Sequence, residues 1–129
     1  MADIVKIDNT NILQILQGAG AVGKPFAQNI YLIDAHVAGT SYINNIEELE
    51  PGLRLGMKLK FLREPENPHD KLAIEVLDEN GNKIGYIPRA KNEIIARLMD
   101  AGKLLYGTIY EKTFFDGWLK ITMQIYLAD

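Results

Sequence analysis

The residues best suited to chemistry stand together in one run, Arg63-Glu64-Pro65-Glu66-Asn67-Pro68-His69-Asp70-Lys71. Asn67 carries a donor and an acceptor, His69 a ring that can stack or bond, and Asp70 a charged acceptor, with Arg63 and Lys71 as cations on either side. Pro65 and Pro68 each lack a donor N–H and lock φ, which excludes both helix and central strand here. Strand-like runs flank the segment, Met57 to Leu62 and Leu72 to Leu77. A polar connector fixed at both ends presents its hydrogen-bonding groups already ordered, so a ligand needs little further ordering to be held. The chemistry this favours is recognition.

Catalytic alternatives fail on the residue inventory. With no cysteine there is no thiol nucleophile, no disulfide and no cysteine-bound zinc, and the two histidines, His36 and His69, stand far apart in sequence. Ser41 is followed by Tyr42, outside any nucleophile-elbow context. Gly18-Ala19-Gly20-Ala21-Val22-Gly23 spells G-x-G-x-x-G, but no strand precedes it and Pro25 stands where its helix should run. No phosphate-binding G-x-x-x-x-G-K-[ST] loop occurs. The expectation is a binding module, with no catalytic residues, no cofactor and no metal.

The elements that must position the polar loop are mostly strands. At 129 residues and 47% apolar, the chain is long enough for one cored domain. Asn9-Thr10-Asn11 before Ile12, Leu13, Ile15 and Leu16 predicts a short capped helix ending at Gly18, followed by a glycine-rich linker; residues 1–30 read as an extension and 31–129 as the domain. Strands are expected over 31–38, 57–62, 72–77, 83–87, 104–110 and 118–127, with Asn80-Gly81 as a hairpin turn and a last hairpin crossing Phe114-Phe115-Asp116-Gly117. Ile46 to Gly52 reads as a short helical turn. Asn92 is expected to cap a helix over 92–101 whose apolar face is Ile94, Ile95, Leu98 and Met99. Short antiparallel strands, one or two short helices and no βαβ unit predict a mainly β fold, a small barrel of the SH3 or OB type.

Charge and hydropathy set the partners. A net charge of −3 argues against a broad electrostatic DNA-binding face. Arg54, Lys58, Lys60 and Arg63 nonetheless form one local excess and Lys83, Arg89 and Lys91 another, enough for two or three phosphates if they are not simply a solvated strand edge. No run approaches the about 20 apolar residues of a membrane span, and the start Met1-Ala2-Asp3-Ile4 lacks a basic leader, so a cytoplasmic protein without membrane contact is expected. Single-stranded nucleic acid is held by aromatic platforms and a short basic track; Tyr42, His69, Phe114 and Phe115 are the candidate platforms. A peptide groove lined by Tyr42, Tyr86 and Trp118 is the alternative. The residues alone favour a structural role, with Asp70 capping a turn, Asn67 forming it and the aromatics filling the barrel rim or core.

Three motifs in order, Gly39-Thr40-Ser41-Tyr42, the run from Arg63 to Val76, and Gly81-Asn82-Lys83-Ile84-Gly85-Tyr86-Ile87-Pro88-Arg89, resemble the HIRAN domain, over about Ile33 to Leu127. That module occurs at the amino terminus of fork-remodelling helicases of the SWI/SNF class and as a stand-alone bacterial protein. The resemblance implies the same barrel, and capture of the free 3′-hydroxyl end of a single DNA strand in repair or fork processing, beside a DNA-processing protein as a second partner. By motif, Tyr42 falls at a stacking position, Asn67, His69 and Asp70 fall in the end-binding loop, and Asp70 falls at the carboxylate that accepts the 3′-hydroxyl. His69 stands where the helicase module has a tyrosine. Ser41 and Ile43 stand where it has an arginine and a second tyrosine, which removes a phosphate contact and a stacking surface. Arg63, Lys71 and Arg89 are the nearest cations for phosphate contacts.

Overall fold

The computed structural model describes residues 29–128; the expected capped helix and glycine linker of the first 28 residues lie outside them. Six strands follow one another as β1 (Asn29–His36), β2 (Lys58–Arg63), β3 (Ile74–Leu77), β4 (Lys83–Tyr86), β5 (Leu105–Phe115) and β6 (Trp118–Ala128). Helix α1 (Ile46–Leu49) sits between two single 3-10 turns, Thr40–Tyr42 and Glu50–Gly52, and α2 (Asn92–Asp100) joins β4 to β5.

The strands form one sheet in the order β1-β6-β5-β2-β3-β4, every neighbour antiparallel. The sheet curls until its two ends meet just beyond β1. There Ala38 and Tyr86 exchange backbone hydrogen bonds, 2.7 Å from the Ala38 N–H and 2.8 Å from the Tyr86 N–H. A single bonded pair closes the curl, so the barrel is nearly rather than fully closed. Gly85 permits the approach, because a Cβ at that position would collide with the Ala38 carbonyl oxygen and the Val37 side chain.

Inward alternation fills the interior. Leu59, Ile74, Val76, Ile84, Ile121, Met123 and Ile125 are wholly buried, and each such side chain contributes about 1.5–3 kcal/mol relative to exposure. Ile95 and Ala96 of α2 join the same core.

The expected architecture is present, with three local corrections. β3 starts at Ile74 rather than Leu72, because the Leu72 N–H is bound by the Asp70 carboxylate (2.9 Å) and the Ala73 N–H by the Asp70 carbonyl (3.1 Å). β5 runs on past Tyr110 to Phe115, so Phe114 and Phe115 are strand residues and the turn is Asp116-Gly117 alone. Both turn residues have positive φ (54° and 78°), as a two-residue hairpin turn of the primed type requires. The polar run Glu111-Lys112-Thr113 disguised this extension, yet Lys112 fastens it, its Nζ donating to the carbonyls of Glu50 (2.9 Å) and Leu53 (2.7 Å) and pairing with the Glu50 carboxylate at 2.8 Å. Finally, the inward face of α2 is shifted from the expected one at its first turn. Ile95, Leu98 and Met99 pack on the core as expected, but Ile94 is exposed, Asn92 and Ala96 are buried beside Ile95, and no side chain caps the helix.

Candidate functional site

The double-proline loop between β2 and β3 is built by its own side chains. Asn67 Oδ1 accepts the backbone N–H groups of His69 (2.8 Å) and Asp70 (3.1 Å), while its Nδ2 donates to Glu64 Oε1 (2.8 Å). This local turn is the habitual use of Asn, and it consumes most of the amide's capacity. Glu64 in turn accepts the Tyr86 hydroxyl (2.9 Å), whose oxygen accepts Lys83 Nζ at 2.7 Å, so β4 braces the loop from behind.

Asp70 is held from two sides. Its Oδ1 takes the Leu72 N–H at 2.9 Å, its Oδ2 takes Asn92 Nδ2 at 2.8 Å, and Arg89 Nε stands 3.5 Å from Oδ2. The Leu72 N–H above all, then the Asn92 amide and the Arg89 guanidinium, hold its carboxyl below the usual range against the opposing effect of burial. The group is therefore an anion at neutral pH, and with two donors spread over two oxygens it keeps free lone pairs. Arg89 donates to the His69 carbonyl at 2.7 Å yet leaves three quarters of its side chain (75%) in solvent, free to meet an anion.

These groups surround a cavity of about 310 Å³ lined by Asn67, His69, Asp70, Tyr86 and Arg89, with Ala38, Ala73 and Ile87 as its apolar wall. Behind the lining residues Asn67 and Tyr86, both bonded to Glu64, stands a carboxyl pair. Glu75 is pushed up to about 6 by its hydrogen bond with Glu64, with burial adding to the effect and Lys83 opposing it. Glu64 is lowered, first by the same bond. The two share a proton under mildly acidic conditions.

Of the residues singled out from sequence, Asn67, His69, Asp70 and Arg89 come together around this cavity. Lys71 lies instead on a broader depression of about 590 Å³ formed by Pro65 to Lys71. Tyr42 is 87% exposed and does not line the cavity; its 3-10 turn follows the wall residue Ala38 closely. Thr40 Oγ1 donates to the Leu119 carbonyl (2.6 Å), which sets that turn against the β6 residue paired with Phe114. Phe115 and Trp118 face each other across the hairpin tip, 76% and 56% exposed, and Phe114 is half exposed. Arg63 does not meet the expectation of a free phosphate contact. Its guanidinium clamps the Asp100 carboxylate (2.9 and 3.1 Å) and the Ala73 carbonyl (2.9 Å), leaving 14% of the side chain exposed.

Two residues with a part in the site escaped the sequence reading. Tyr86, placed in a peptide groove by the alternative reading, lines the cavity and carries the Lys83 ammonium 4.3 Å over its ring. Asn92 supports Asp70. Its signal was available, since a lone amide at the head of the stripe Asn92, Ile95, Ala96 and Met99 implies a buried partner. Among the described residues, no three His, Asp or Glu side chains cluster as metal ligands would, and no helix is long and apolar enough to cross a membrane.

The chain is 36% identical over 69 residues to the helicase-like transcription factor of Oryctolagus cuniculus, a match that covers 50% of this chain and only 6% of that protein. Among solved structures, a protein from Lactobacillus plantarum superposes with a TM-score of 0.71 at 30% identity, covering 78% of this chain and 95% of its own. The HLTF HIRAN domain in its DNA-bound conformation superposes with a TM-score of 0.51 at 21% identity, covering 77% and 79%. The HIRAN domain pattern itself matches residues 30–128, nearly everything from the head of β1 to the end of β6, and on that match the chain belongs to the HIRAN domain family.

Proposed function

We propose that this domain binds nucleic acid, and that the cavity at Asp70 receives the free 3′-hydroxyl end of a single DNA strand. The observation that carries the reading is the Asp70 carboxylate itself, ionised, braced by Leu72 and Asn92, and set in a cavity of nucleoside-sized volume beside an exposed arginine. A terminal hydroxyl donates to that carboxylate, in a charge-assisted bond roughly twice as strong as a neutral one. A terminal phosphate, or the continuing phosphate of an internal nucleotide, is repelled from the same place. One aspartate thus separates an end from a middle, which cations alone cannot do.

The rest of the strand has its own contacts in this reading. Arg89 meets the phosphodiester next to the terminal sugar, and Lys71 supplies a weaker, longer-range attraction. Tyr42, and Phe114 and Phe115 at the hairpin tip, offer ring surface to successive bases, about 1–3 kcal/mol for each base that stacks. That an HLTF HIRAN domain adopts a DNA-bound conformation supports the class of ligand. Ser41 and Ile43 supply neither a cation nor a ring beside Tyr42, so affinity below that of the helicase module is expected. The role is binding rather than catalysis, in DNA repair or fork processing. Fluorescence anisotropy with a short labelled single strand tests it: the 3′-hydroxyl form must bind more tightly than the 3′-phosphate form, with affinity falling steeply in salt. Equal binding of the two ends, or binding indifferent to salt, would overturn the reading.

A further inference from the structure

Asn92 is the first helical residue of α2, one position inside the cap, which is Lys91, and no side chain caps the helix. The residue is 2% exposed and its Nδ2 donates to Asp70 Oδ2, 22 residues away in sequence, at 2.8 Å. A buried amide whose donor is spent on a distant carboxylate at the edge of a cavity marks where orientation matters.

The geometry around Asp70 says what is being oriented. Leu72 pins Oδ1 at 2.9 Å, whereas Oδ2 has two suitors, Asn92 at 2.8 Å and Arg89 Nε at 3.5 Å. Arg89 is the stronger attractor in charge but sits three quarters in solvent, where its pull is screened. Without the Asn92 donor, Oδ2 is free to swing onto the guanidinium. The cavity would then lose its acceptor and its cation together, each neutralised by the other.

We infer that Asn92 is a positioning residue that keeps the Asp70 carboxylate aimed into the cavity and apart from Arg89, and thereby sets the preference for a hydroxyl over a phosphate end. This rests on the end-capture reading above and adds to it a residue that touches no ligand.

Two variants test it in the full-length chain. Asn92→Ala deletes the donor; Asn92→Asp is isosteric, keeps the packing and sets a second carboxylate against the first. Two measurements are made on each: the Asp70 carboxyl titration by carbon-detected NMR without ligand, and the affinity ratio for 3′-hydroxyl against 3′-phosphate oligonucleotides. Asn92→Asp should titrate Asp70 at higher pH than the parent, because a second carboxylate faces the first, whereas Asn92→Ala, in which Oδ2 closes onto Arg89, should keep Asp70 low and make its titration more sensitive to salt. Asn92→Ala should lower the affinity ratio about three- to tenfold, the range for one hydrogen bond, chiefly through weaker binding of the 3′-hydroxyl strand. A folded Asn92→Asp protein with an unmoved Asp70 titration, or a folded Asn92→Ala protein with the parental ratio, overturns the inference even if its melting temperature falls. If the parent itself shows no end preference, the end-capture reading fails, and the ligand-free titration alone then decides whether Asn92 positions Asp70.

Discussion

Asp70→Ala is the perturbation with the most legible arithmetic. In the folded protein it removes the acceptor for the Leu72 N–H and strands the Asn92 amide, which is buried. A buried donor left unsatisfied costs about 1–3 kcal/mol, so stability should fall by that order and the domain should remain folded at 20 °C. In the complex it removes a hydrogen bond to a charged group, about 1.5–3 kcal/mol, which is roughly a 10- to 150-fold loss of affinity for the 3′-hydroxyl strand. The 3′-phosphate strand should respond in the opposite sense. Two charges about 4 Å apart repel by about 1 kcal/mol in water and about 4 kcal/mol near a protein surface, so removing one should strengthen that complex by at least about fivefold, the aqueous limit. The measurement is the ratio of the two affinities by anisotropy at fixed salt, beside a urea titration to confirm folding. Acid adds an independent check. Because the folded Asp70 carboxyl lies below its usual range, the hydroxyl preference should persist as pH falls through the ordinary aspartate range and vanish only beneath it. A folded Asp70→Ala protein with the parental ratio would refute the mechanism and move a peptide groove ahead of it.

Other outcomes follow from the same geometry. Arg89→Ala should weaken both oligonucleotides alike and reduce the slope of log affinity against log salt by about one unit, whereas Lys71→Ala, one step outside the cavity, should have a smaller effect of the same kind. Arg63→Ala should leave DNA affinity unchanged while lowering the urea midpoint, since it removes the guanidinium's bond to the Ala73 carbonyl, which the Glu64 N–H still holds, and its clamp on Asp100, a loss of about 1 kcal/mol; an altered salt slope in this variant would contradict the assignment of Arg63 to the scaffold. Glu75 has a folded value of about 6, raised above its unfolded one, so the stability it adds is full below about 4.5 and is lost as pH rises through about 6. Glu64 shifts the other way and offsets part of it. Glu75→Gln should flatten the parental fall in urea midpoint between those values, and a parent whose midpoint rises steadily across that window would show the carboxyl pair to be wrongly described.

Much of the scaffold is a local property of the chain, and local properties are legible in one dimension. Leu119, Ile121, Met123 and Ile125 alternate with polar neighbours because a strand turns successive side chains to opposite faces, and all four are buried as that period demands. Pro65 and Pro68 excluded regular structure between β2 and β3, and Asn67 and Asp70 form their turns with partners two or three residues away. The cluster of Asn67, His69 and Asp70 was therefore readable. What needed three dimensions were the choices of distant partner. The order β1-β6-β5-β2-β3-β4 and its closure at Ala38 and Tyr86 depend on which edges meet after collapse. Arg63 looked free because Asp100, its partner, lies 37 residues on, and Asn92 looked like a helix cap because Asp70 lies 22 residues back. Glu111 to Thr113 read as loop because their strand is held by hairpin pairing and by Lys112 reaching back to Glu50, not by an apolar face. Periodicity assigns a side chain to a face. Only the packed structure decides which polar group waits on the other side of it, because a hydrogen bond depends on distance in space and is indifferent to separation along the chain.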